Sequence, residues 1–185
     1  HSDVDNMYRT NIVGTRNLLA ALEEGAKPKG VLVVSSANVY GNSPIGVITE
    51  DVGPVPANDY AVSKLAMEQM ASLWRDRLPI TVVRPFNYTG VGQSTQFLLP
   101  KLVDAFRRKA EVLELGNLDV IRDFCDVRSV VRAYRLLLED NSAGLTLNVC
   151  SGIGHSLMDI VAMLHALTGH SPQIRVNPAF VRGNE

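Results

Sequence analysis

The sequence predicts an α/β fold in which helices cover both faces of a parallel sheet. Two short, largely apolar runs, Val31–Val34 and Ile80–Asn87, are typical of strands buried on both faces. Each run follows a helical pattern, over 3–24 and 60–77, and the connections between the elements are short. The order helix, strand, helix, strand favours parallel strands joined by crossover helices.

Caps and breakers predict the boundaries of the two helices. Apolar residues recur at three- and four-residue spacing over 3–24, and Gly25 predicts the end of this helix. The second helix follows a proline-containing loop. Asn58 or Asp59 is expected to cap it, because a short polar side chain can accept from the first free N–H groups of a helix.

The pattern changes beyond Asn87, where we expect a soft domain boundary. The first domain, 1–87, would hold the main sheet, and 88–185 would form most of a smaller α/β domain, while elements near 120–150 return to the main sheet. The elements predicted after the boundary are a helix over 97–108, strands around 112–115 and 120–122, a helix capped by Asp126, a strand over 145–149, a helix from Ser156 to 167 and a strand over 174–176.

Composition argues against several kinds of partner. The 18 basic and 19 acidic residues nearly balance, so neither nucleic acid nor an anionic membrane is expected as a partner. No apolar run reaches membrane-spanning length, and the histidines lack metal-ligand spacing. Cys125 and Cys150 have no CxxC spacing and are expected to be buried free thiols of a cytoplasmic protein.

Tyr60 and Lys64 stand four residues apart in the stretch NDYAVSKLAMEQM, so a helix places them on one face. A phenol has a pKa of about 10, and a nearby ammonium group favours its ionised form. Such a phenol suits a general acid that protonates a carbonyl oxygen. Ser36 follows the first strand, and ligands of parallel sheets bind at the carboxyl ends of strands. Its hydroxyl either finishes the strand or hydrogen-bonds to that same oxygen.

Two arginines, Arg122 and Arg182, are candidates for binding a diphosphate. A guanidinium group binds oxygens bidentately and stays charged. Surface ion pairs with Asp123 and Glu185 are the alternative that the residues alone leave open. Asn87 follows the second strand, where its amide either caps a turn or contacts a ligand.

A series of short motifs follows in a fixed order along the chain. They are NIVGT at 11–15, SSANVYG at 35–41, TEDVGPVPANDYAVSK at 49–64, VVRPFNYTG at 82–90, GVGQ at 90–93 and RDFCDVRSVVRAY at 122–134. Together they resemble the extended short-chain dehydrogenase/reductases that act on nucleotide sugars, over nearly the whole chain. The resemblance implies a Rossmann-like parallel sheet that binds NADP or NAD, partial in 1–87, and a smaller domain that binds the nucleotide sugar.

The same resemblance implies roles for individual residues. The catalytic residues would be Ser36, Tyr60 and Lys64. The cofactor would contact Asn11, Ser35, Tyr60, Lys64, Pro85 and Phe86. The nucleotide-sugar substrate would contact Asn87, Lys101, Arg122 and Arg182. Asn11 would support Lys64 through a water, and a homodimer would form through two helices, here near 5–24 and 60–77.

Position 38 helps to separate the activities within this family. Members that dehydrate nucleotide sugars carry a Glu where this chain has Asn38, and an amide cannot shuttle a proton as a carboxylate does. The expected activity is therefore NAD(P)-dependent reduction of the 4-keto group of a nucleotide-linked 6-deoxyhexose. The segments 116–139 and 177–185 resemble family members that act on GDP-linked sugars, which implies GDP as the nucleotide. Epimerisation and 4,6-dehydration remain alternatives. A cofactor-sensing protein without turnover is the alternative from another class.

The glycine-rich fingerprint that binds the pyrophosphate in this family does not occur in the sequence. A complete Rossmann-like domain would need roughly three further strands, about 70 residues, before His1. The residue that selects NAD or NADP would lie among them. We therefore expect that this chain by itself does not bind a dinucleotide normally.

Overall fold

The computed structural model describes residues 3–42, 46–140 and 142–181. Within them the chain forms two compact units. The first unit lies within His1–Phe86 and Ser129–Val149, and the second lies within Asn87–Arg128 and Cys150–Glu185. The chain therefore leaves the first unit after Phe86 and returns to it at Ser129 for most of one helix and for one strand.

Helices and strands alternate along most of the chain. The α-helices are α1 (Val4–Tyr8), α2 (Thr15–Ala21), α3 (Asp59–Ser72), α4 (Leu98–Arg107), α5 (Val127–Glu139) and α6 (Leu157–Thr168). The strands are β1 (Val31–Val34), β2 (Ile80–Pro85), β3 (Asn87–Thr89), β4 (Val112–Leu115), β5 (Ile121–Asp126), β6 (Thr146–Val149), β7 (Gly154–Ser156) and β8 (Gln173–Val176). A 3₁₀ turn, Ala37–Tyr40, follows β1 closely.

A parallel sheet in the order β1–β2–β6 forms the centre of the first unit. Every residue of β2 is buried, which explains its nearly continuous apolar sequence. Helix α3 connects β1 to β2 and packs against β2. The core beside the sheet includes Leu19, Met67, Trp74 and Ile80. The predicted α/β fold with a parallel sheet and crossover helices is confirmed.

The N-terminal helical segment runs further than predicted. Two π-helical stretches, Arg9–Gly14 and Leu22–Ala26, continue α1 and α2, so the chain stays helical past Gly25. Lys27 ends it in the left-handed conformation, with φ of 39°. The prediction that Gly25 ends this helix was therefore wrong, because wider π turns carry the glycine inside the last turn.

Two further boundaries differ from the prediction. Helix α3 ends at Ser72 rather than near 77, and residues 73–77 form turns from which Trp74 still reaches the core. The strand predicted over 80–87 is divided, because β2 ends at Pro85 and β3 begins at Asn87. The division coincides with the boundary between the two units.

The second unit contains two small sheets. Strand β5 pairs in parallel with β3 and antiparallel with β7, and β4 pairs in parallel with β8. Helices α4 and α6 contact each other over a second apolar core that includes Leu102, Phe106, Leu113 and Leu157. Strand β5 is longer than the predicted 120–122, and β7 has no counterpart in the prediction. Ser156 and Asp159 cap α6 reciprocally.

Candidate active site

The carboxyl end of β1 places two serines in different surroundings. Ser35 is 2% exposed, and its backbone N–H donates to the Val83 carbonyl at 2.8 Å. The Ser35 Oγ has no hydrogen-bond partner within the described part of the chain. Ser36 is half-buried and caps the 3₁₀ turn, since its Oγ accepts from the Asn38 N–H at 3.2 Å. This strand end therefore offers one buried and one accessible hydroxyl.

Helix α3 brings Tyr60 and Lys64 to the same strand end. Asn58 is the cap, because its side chain accepts from the Ala61 N–H at 2.9 Å. Lys64 donates through Nζ to the carbonyl of Val34, the last residue of β1, at 2.9 Å. The Lys64 Nζ also lies 5.9 Å from the centroid of the Tyr60 ring. The structure thus gathers an ammonium group, a phenol and the serine hydroxyls at one edge of the sheet.

The ammonium group of Lys64 is partly removed from water. Burial lowers the pKa of Lys64 below its ordinary value, because a less polar environment disfavours the charged form. A lower pKa brings the amine closer to exchanging a proton near neutral pH. Together with the phenol and the hydroxyl, it can supply a proton to a carbonyl oxygen.

Asn11 is tied to the first turn of α3. Its Nδ2 donates to the Ser63 Oγ at 2.9 Å, and Ser63 donates to the Tyr60 carbonyl at 2.8 Å. Asn11 lies in a π-helical stretch, a form that is frequent at functional sites. The structure therefore places Asn11 beside the residue that precedes Lys64.

A buried ion pair lies next to this group of residues and was missed by the sequence reasoning. Arg84, in the middle of the sheet, binds Glu68 of α3 through two hydrogen bonds of 3.0 and 2.7 Å. Arg84 also donates to the Tyr40 hydroxyl at 3.0 Å. All three residues are at most 7% exposed. The bonds to Glu68 and Tyr40 raise the pKa of Arg84 further above its ordinary range, so it stays charged.

Hydrogen bonds continue from these buried residues to the half-buried Asn148 of β6 and to the loop before α3. The Tyr40 hydroxyl donates to the Asn148 Oδ1 at 2.8 Å. Asn148 donates from its side chain to the Ile48 carbonyl at 3.0 Å and from its backbone to the Glu50 carboxylate at 2.6 Å. We call Glu68, Arg84, Tyr40 and Asn148 the buried polar chain.

One signal in the sequence could have revealed the buried polar chain. Arg84 is a charged residue in a largely apolar strand, and a charged residue in a buried strand requires a partner. Glu68 stands four residues after Lys64, on the same face of α3. The identity of the pair nevertheless depends on how α3 packs on β2, which no local pattern specifies.

The remaining predicted cofactor residues, Pro85 and Phe86, lie at the carboxyl end of β2. The Phe86 N–H donates to the Val149 carbonyl at 2.9 Å, so this segment stays attached to β6. The neighbouring strands β1 and β2 therefore present these residues and the two serines at corresponding strand ends.

The second unit holds the predicted substrate residues. Asn87 donates from its side chain to the Asp123 carbonyl at 3.1 Å, which fixes it between β3 and β5. Lys101 and Arg122 line one cavity of about 340 Å³. The Lys101 ammonium stacks 4.2 Å from the centroid of the Phe180 ring. Arg182 lies outside the described residues.

Two cationic side chains therefore line one cavity of the second unit, together with hydrogen-bond acceptors and an aromatic ring. Gly116 lines the same cavity and allows close packing there, because a Cβ at this position would lie 2.1 Å from the Phe180 carbonyl oxygen. Cations beside backbone and aromatic groups suit a phosphorylated ligand.

The two cysteines, both predicted to be buried, differ in their surroundings. Cys125 is buried, and burial raises its pKa to about 11. Cys150 is exposed, so the prediction that both are buried was wrong; it follows the end of β6.

Among the described residues, no cluster of acidic, histidine or cysteine side chains could hold a metal ion. No described helix combines the length and apolar character needed to cross a membrane.

A parallel sheet with a lysine, a tyrosine and a serine at one strand end defines a dehydrogenase-like α/β protein. A sequence profile of the NAD dependent epimerase/dehydratase family matches residues 1–150, and the chain belongs to this family. The chain is 39% identical to GDP-6-deoxy-D-talose 4-dehydrogenase of Aggregatibacter actinomycetemcomitans, over 96% of the chain and 61% of that protein. It is 36% identical to GDP-6-deoxy-D-mannose reductase of Pseudomonas aeruginosa, over 99% of the chain and 63% of that protein.

Solved structures give the same relationship. A crystal structure from Burkholderia cenocepacia matches the whole chain with a TM-score of 0.96 and 56% identity, over 61% of its own length. The structure of RMD from Pseudomonas aeruginosa complexed with NADPH matches 98% of the chain with a TM-score of 0.88 and 36% identity, over 65% of its own length. The chain therefore spans about three fifths of the length of these relatives.

Proposed function

We propose that the protein carrying this sequence reduces the 4-keto group of a nucleotide-linked 6-deoxyhexose with NADPH or NADH. One observation carries the proposal: Lys64 lies beside Tyr60 and bonds to the last residue of β1, the strand end that Ser36 follows. Two relatives named for GDP-linked 6-deoxyhexoses, at 39% and 36% identity, support the choice of substrate class.

Three residues share the proton transfer in this proposal. Tyr60 donates its proton to the O4 oxygen of the sugar as negative charge develops there. Ser36 donates a hydrogen bond to the same oxygen. Lys64 stabilises the phenolate electrostatically, and its lowered pKa leaves it better able to return a proton. The product is the 4-hydroxy sugar, still linked to its nucleotide.

The end of β1 fits the nicotinamide part of a dinucleotide. The Ser35 hydroxyl is buried without a described partner, and an unpaired buried polar group requires an explanation, which a bound ligand would supply. Ser35, Lys64, Pro85 and Phe86 would hold that part, and Asn11 would support Lys64 through a water. When bound, the nicotinamide supplies the hydride.

Binding of the nucleotide sugar is assigned to the second unit. Lys101 and Arg122 would neutralise the diphosphate, because both line the cavity of about 340 Å³. Asn87 would hold the sugar or a phosphate through its amide, and Arg182 would add a second guanidinium group. We assign dinucleotide binding to the first unit.

A 4,6-dehydratase is less well supported by the same geometry. Asn38 follows Ser36 by two residues, and the Asn38 side chain is exposed. An amide cannot act as a general acid or base, which elimination of water requires. Epimerisation would use the same three residues as reduction, so it is an outcome of the experiment below.

The test is turnover of a GDP-linked 4-keto-6-deoxyhexose by the protein that carries this sequence. We expect stoichiometric oxidation of NADPH or NADH, and Tyr60→Phe should lower kcat by about 10²–10⁴-fold. Tyr8→Phe is the matched control, because the Tyr8 hydroxyl donates to Asp59 at the surface, at 3.0 Å. This variant should retain activity.

Three results would contradict the proposal in different ways. An unchanged rate in Tyr60→Phe would remove the assigned role of Tyr60. Formation of a C4 epimer without consumption of cofactor would favour an epimerase. Tight binding of cofactor without turnover of any nucleotide sugar would favour a sensing protein.

We further propose that the protein is a cytoplasmic homodimer that pairs through the helices near 5–24 and 60–77. Apolar side chains are exposed on these segments at Val13, Leu18, Val62 and Leu73, which supports a covered surface. Light scattering after gel filtration should give twice the protomer mass. Leu18→Glu should shift the mass to one protomer, and an unchanged dimer would contradict this arrangement.

A further inference from the structure

The buried polar chain connects the two elements that carry the proposed proton-transfer residues. Tyr40 ends the 3₁₀ turn that Ser36 caps. Glu68 lies one turn after Lys64 on α3. Arg84 joins them, because it binds both carboxylate oxygens of Glu68 and the hydroxyl of Tyr40.

The geometry of Arg84 leaves it little freedom. Its planar guanidinium forms a two-bond fork with Glu68, and such a fork fixes direction as well as distance. The guanidinium carbon also lies 4.9 Å from the centroid of the Tyr40 ring. Since α3 carries Glu68 and Lys64 on one face, the fork limits rotation of the helix that presents Lys64 to Val34.

Apolar residues of similar volume could stabilise such a core equally well, because burying charges costs about as much as their attraction returns. Hydrogen-bonding groups differ from apolar groups, because a hydrogen bond forms only at particular distances and angles. The positions of Tyr40 and Glu68 are therefore coupled through specific hydrogen bonds, which packing alone would not provide.

The coupling extends to the loop that leads into α3. Asn148 accepts from Tyr40 and donates to the Ile48 carbonyl, so one amide bridges the turn and the loop. The loop also approaches the end of the turn closely. A Cβ on Gly41 would lie 2.2 Å from the Val55 carbonyl oxygen, and the φ of Gly41 is +81°.

We infer that Tyr40 is a positioning residue, whose hydroxyl holds the Ser36 turn in register with the Tyr60–Lys64 face of α3 and with the loop at 48–50. The inference rests on the proposed function for its kinetic consequence. It extends that proposal to a residue that does not touch the substrate or the cofactor.

The variant that tests the inference is Tyr40→Phe. It keeps the ring under Arg84 and removes only the hydroxyl that joins Arg84 to Asn148. We expect kcat to fall about tenfold while the KM values for both substrates stay within about twofold, because a small misplacement of reacting groups slows the chemical step.

The control for a general loss of stability is Thr81→Val. Thr81 is 4% exposed, lies in the same strand as Arg84, and donates from its hydroxyl to the Ser142 carbonyl at 2.8 Å. This variant also loses a partly buried hydrogen bond, but Thr81 pairs with Leu32 near the start of β1, whereas Ser36 follows the end of β1. Its kcat should stay within about twofold of the parent.

Amide hydrogen exchange provides a readout that does not depend on activity. Tyr40→Phe should speed exchange in three segments together: 37–41, 48–50 and 60–68. Asn148→Ala, measured in parallel, should affect 37–41 and 48–50 in the same direction and serves if Tyr40→Phe folds poorly. Thr81→Val should leave all three segments unchanged.

Several outcomes would overturn the inference. They are faster exchange in 37–41 alone, a kcat of Tyr40→Phe within twofold of the parent, and an equal loss of kcat in Thr81→Val. A parent protein that exchanges as expected but turns over no nucleotide sugar would instead contradict the proposed function.

Discussion

Two arginine–carboxylate pairs, one in each unit, have nearly the same geometry in very different surroundings. Arg84 and Glu68 form two hydrogen bonds of 3.0 and 2.7 Å, and their side chains are 9% and 6% exposed. Arg128 and Asp126 form two hydrogen bonds of 2.9 and 2.6 Å, with side chains 87% and 42% exposed. Bond length therefore does not distinguish the two pairs, whereas access to water does.

The difference determines what each pair can do. Water screens the exposed pair and competes for its hydrogen bonds, so the pair contributes little beyond local order where β5 meets α5. The buried pair joins residues that are 16 apart in the chain, and Arg84 reaches Tyr40 at a separation of 44. Loss of one buried partner leaves the other charge without compensation. The buried pair should thus resist substitution much more strongly.

The largest effect is expected from Glu68→Ala. Arg84 would be left as an uncompensated buried charge, and the free energy of unfolding should fall by about 3–5 kcal/mol. The matched control is Asp104→Ala, which removes a more accessible carboxylate, 26% exposed, that binds Arg107 and Arg108 on α4. Urea unfolding of both variants measures the contrast. Equal losses would show that burial does not decide the strength of these pairs.

An intermediate effect is expected from the pH dependence of Lys64→Met. The pKa of Lys64 is lowered in the folded protein, so its charged form is disfavoured there. This destabilising contribution is fully present below the pKa that Lys64 has in the folded protein. It disappears as pH rises to the ordinary lysine pKa of about 10.4. Relative to Lys64→Met, the parent should therefore gain stability between neutral pH and about pH 10, by under about 1 kcal/mol because solvent screens the half-buried amine.

The measurement for Lys64→Met is urea unfolding at several pH values. A difference between parent and variant that stays constant with pH would contradict the burial of the ammonium group. Arg75→Met is a suitable comparison, because an arginine keeps its charge over this range.

The smallest effect is expected from Arg128→Ala. Arg128 lowers the pKa of Asp126 to about 2, so any stabilisation is present above the ordinary aspartate pKa of about 3.9 and is lost as pH falls towards 2. At neutral pH and moderate salt we expect no measurable change in the unfolding midpoint. A clear loss at pH 7 that persists in 1 M salt would show that this exposed pair is stronger than its surroundings suggest.

Local features of the molecule could be predicted from the sequence. Asn58 and Ser156 cap helices as expected, because a cap depends on residues within one turn. The buried parallel strands were recognisable because two covered faces require continuous apolar residues. Ser36, Tyr60 and Lys64 could be proposed together because family motifs and helical spacing point to the same strand end.

The boundary errors have a common physical origin. Gly25 did not end its helix, because a wide π turn carries the chain past it. Helix α3 ended at Ser72, before Pro79, and the turns at 73–77 place Trp74 in the core. Strand β7 is only three residues long and forms through pairing with β5, which the pattern of Gly154–Ser156 alone does not indicate.

The sequence by itself determined the order of the longer elements, the caps of α3 and α6 and the residue types available at the strand ends. Only the tertiary structure decided that Arg84 binds Glu68 and Tyr40, that Asn11 reaches Ser63, and that Lys64 bonds to the end of β1. These partners are 16 to 52 residues apart. A contact at that separation depends on how α3 packs on the sheet. A periodic sequence pattern indicates only which face of a helix or strand is buried, not which residue that face contacts.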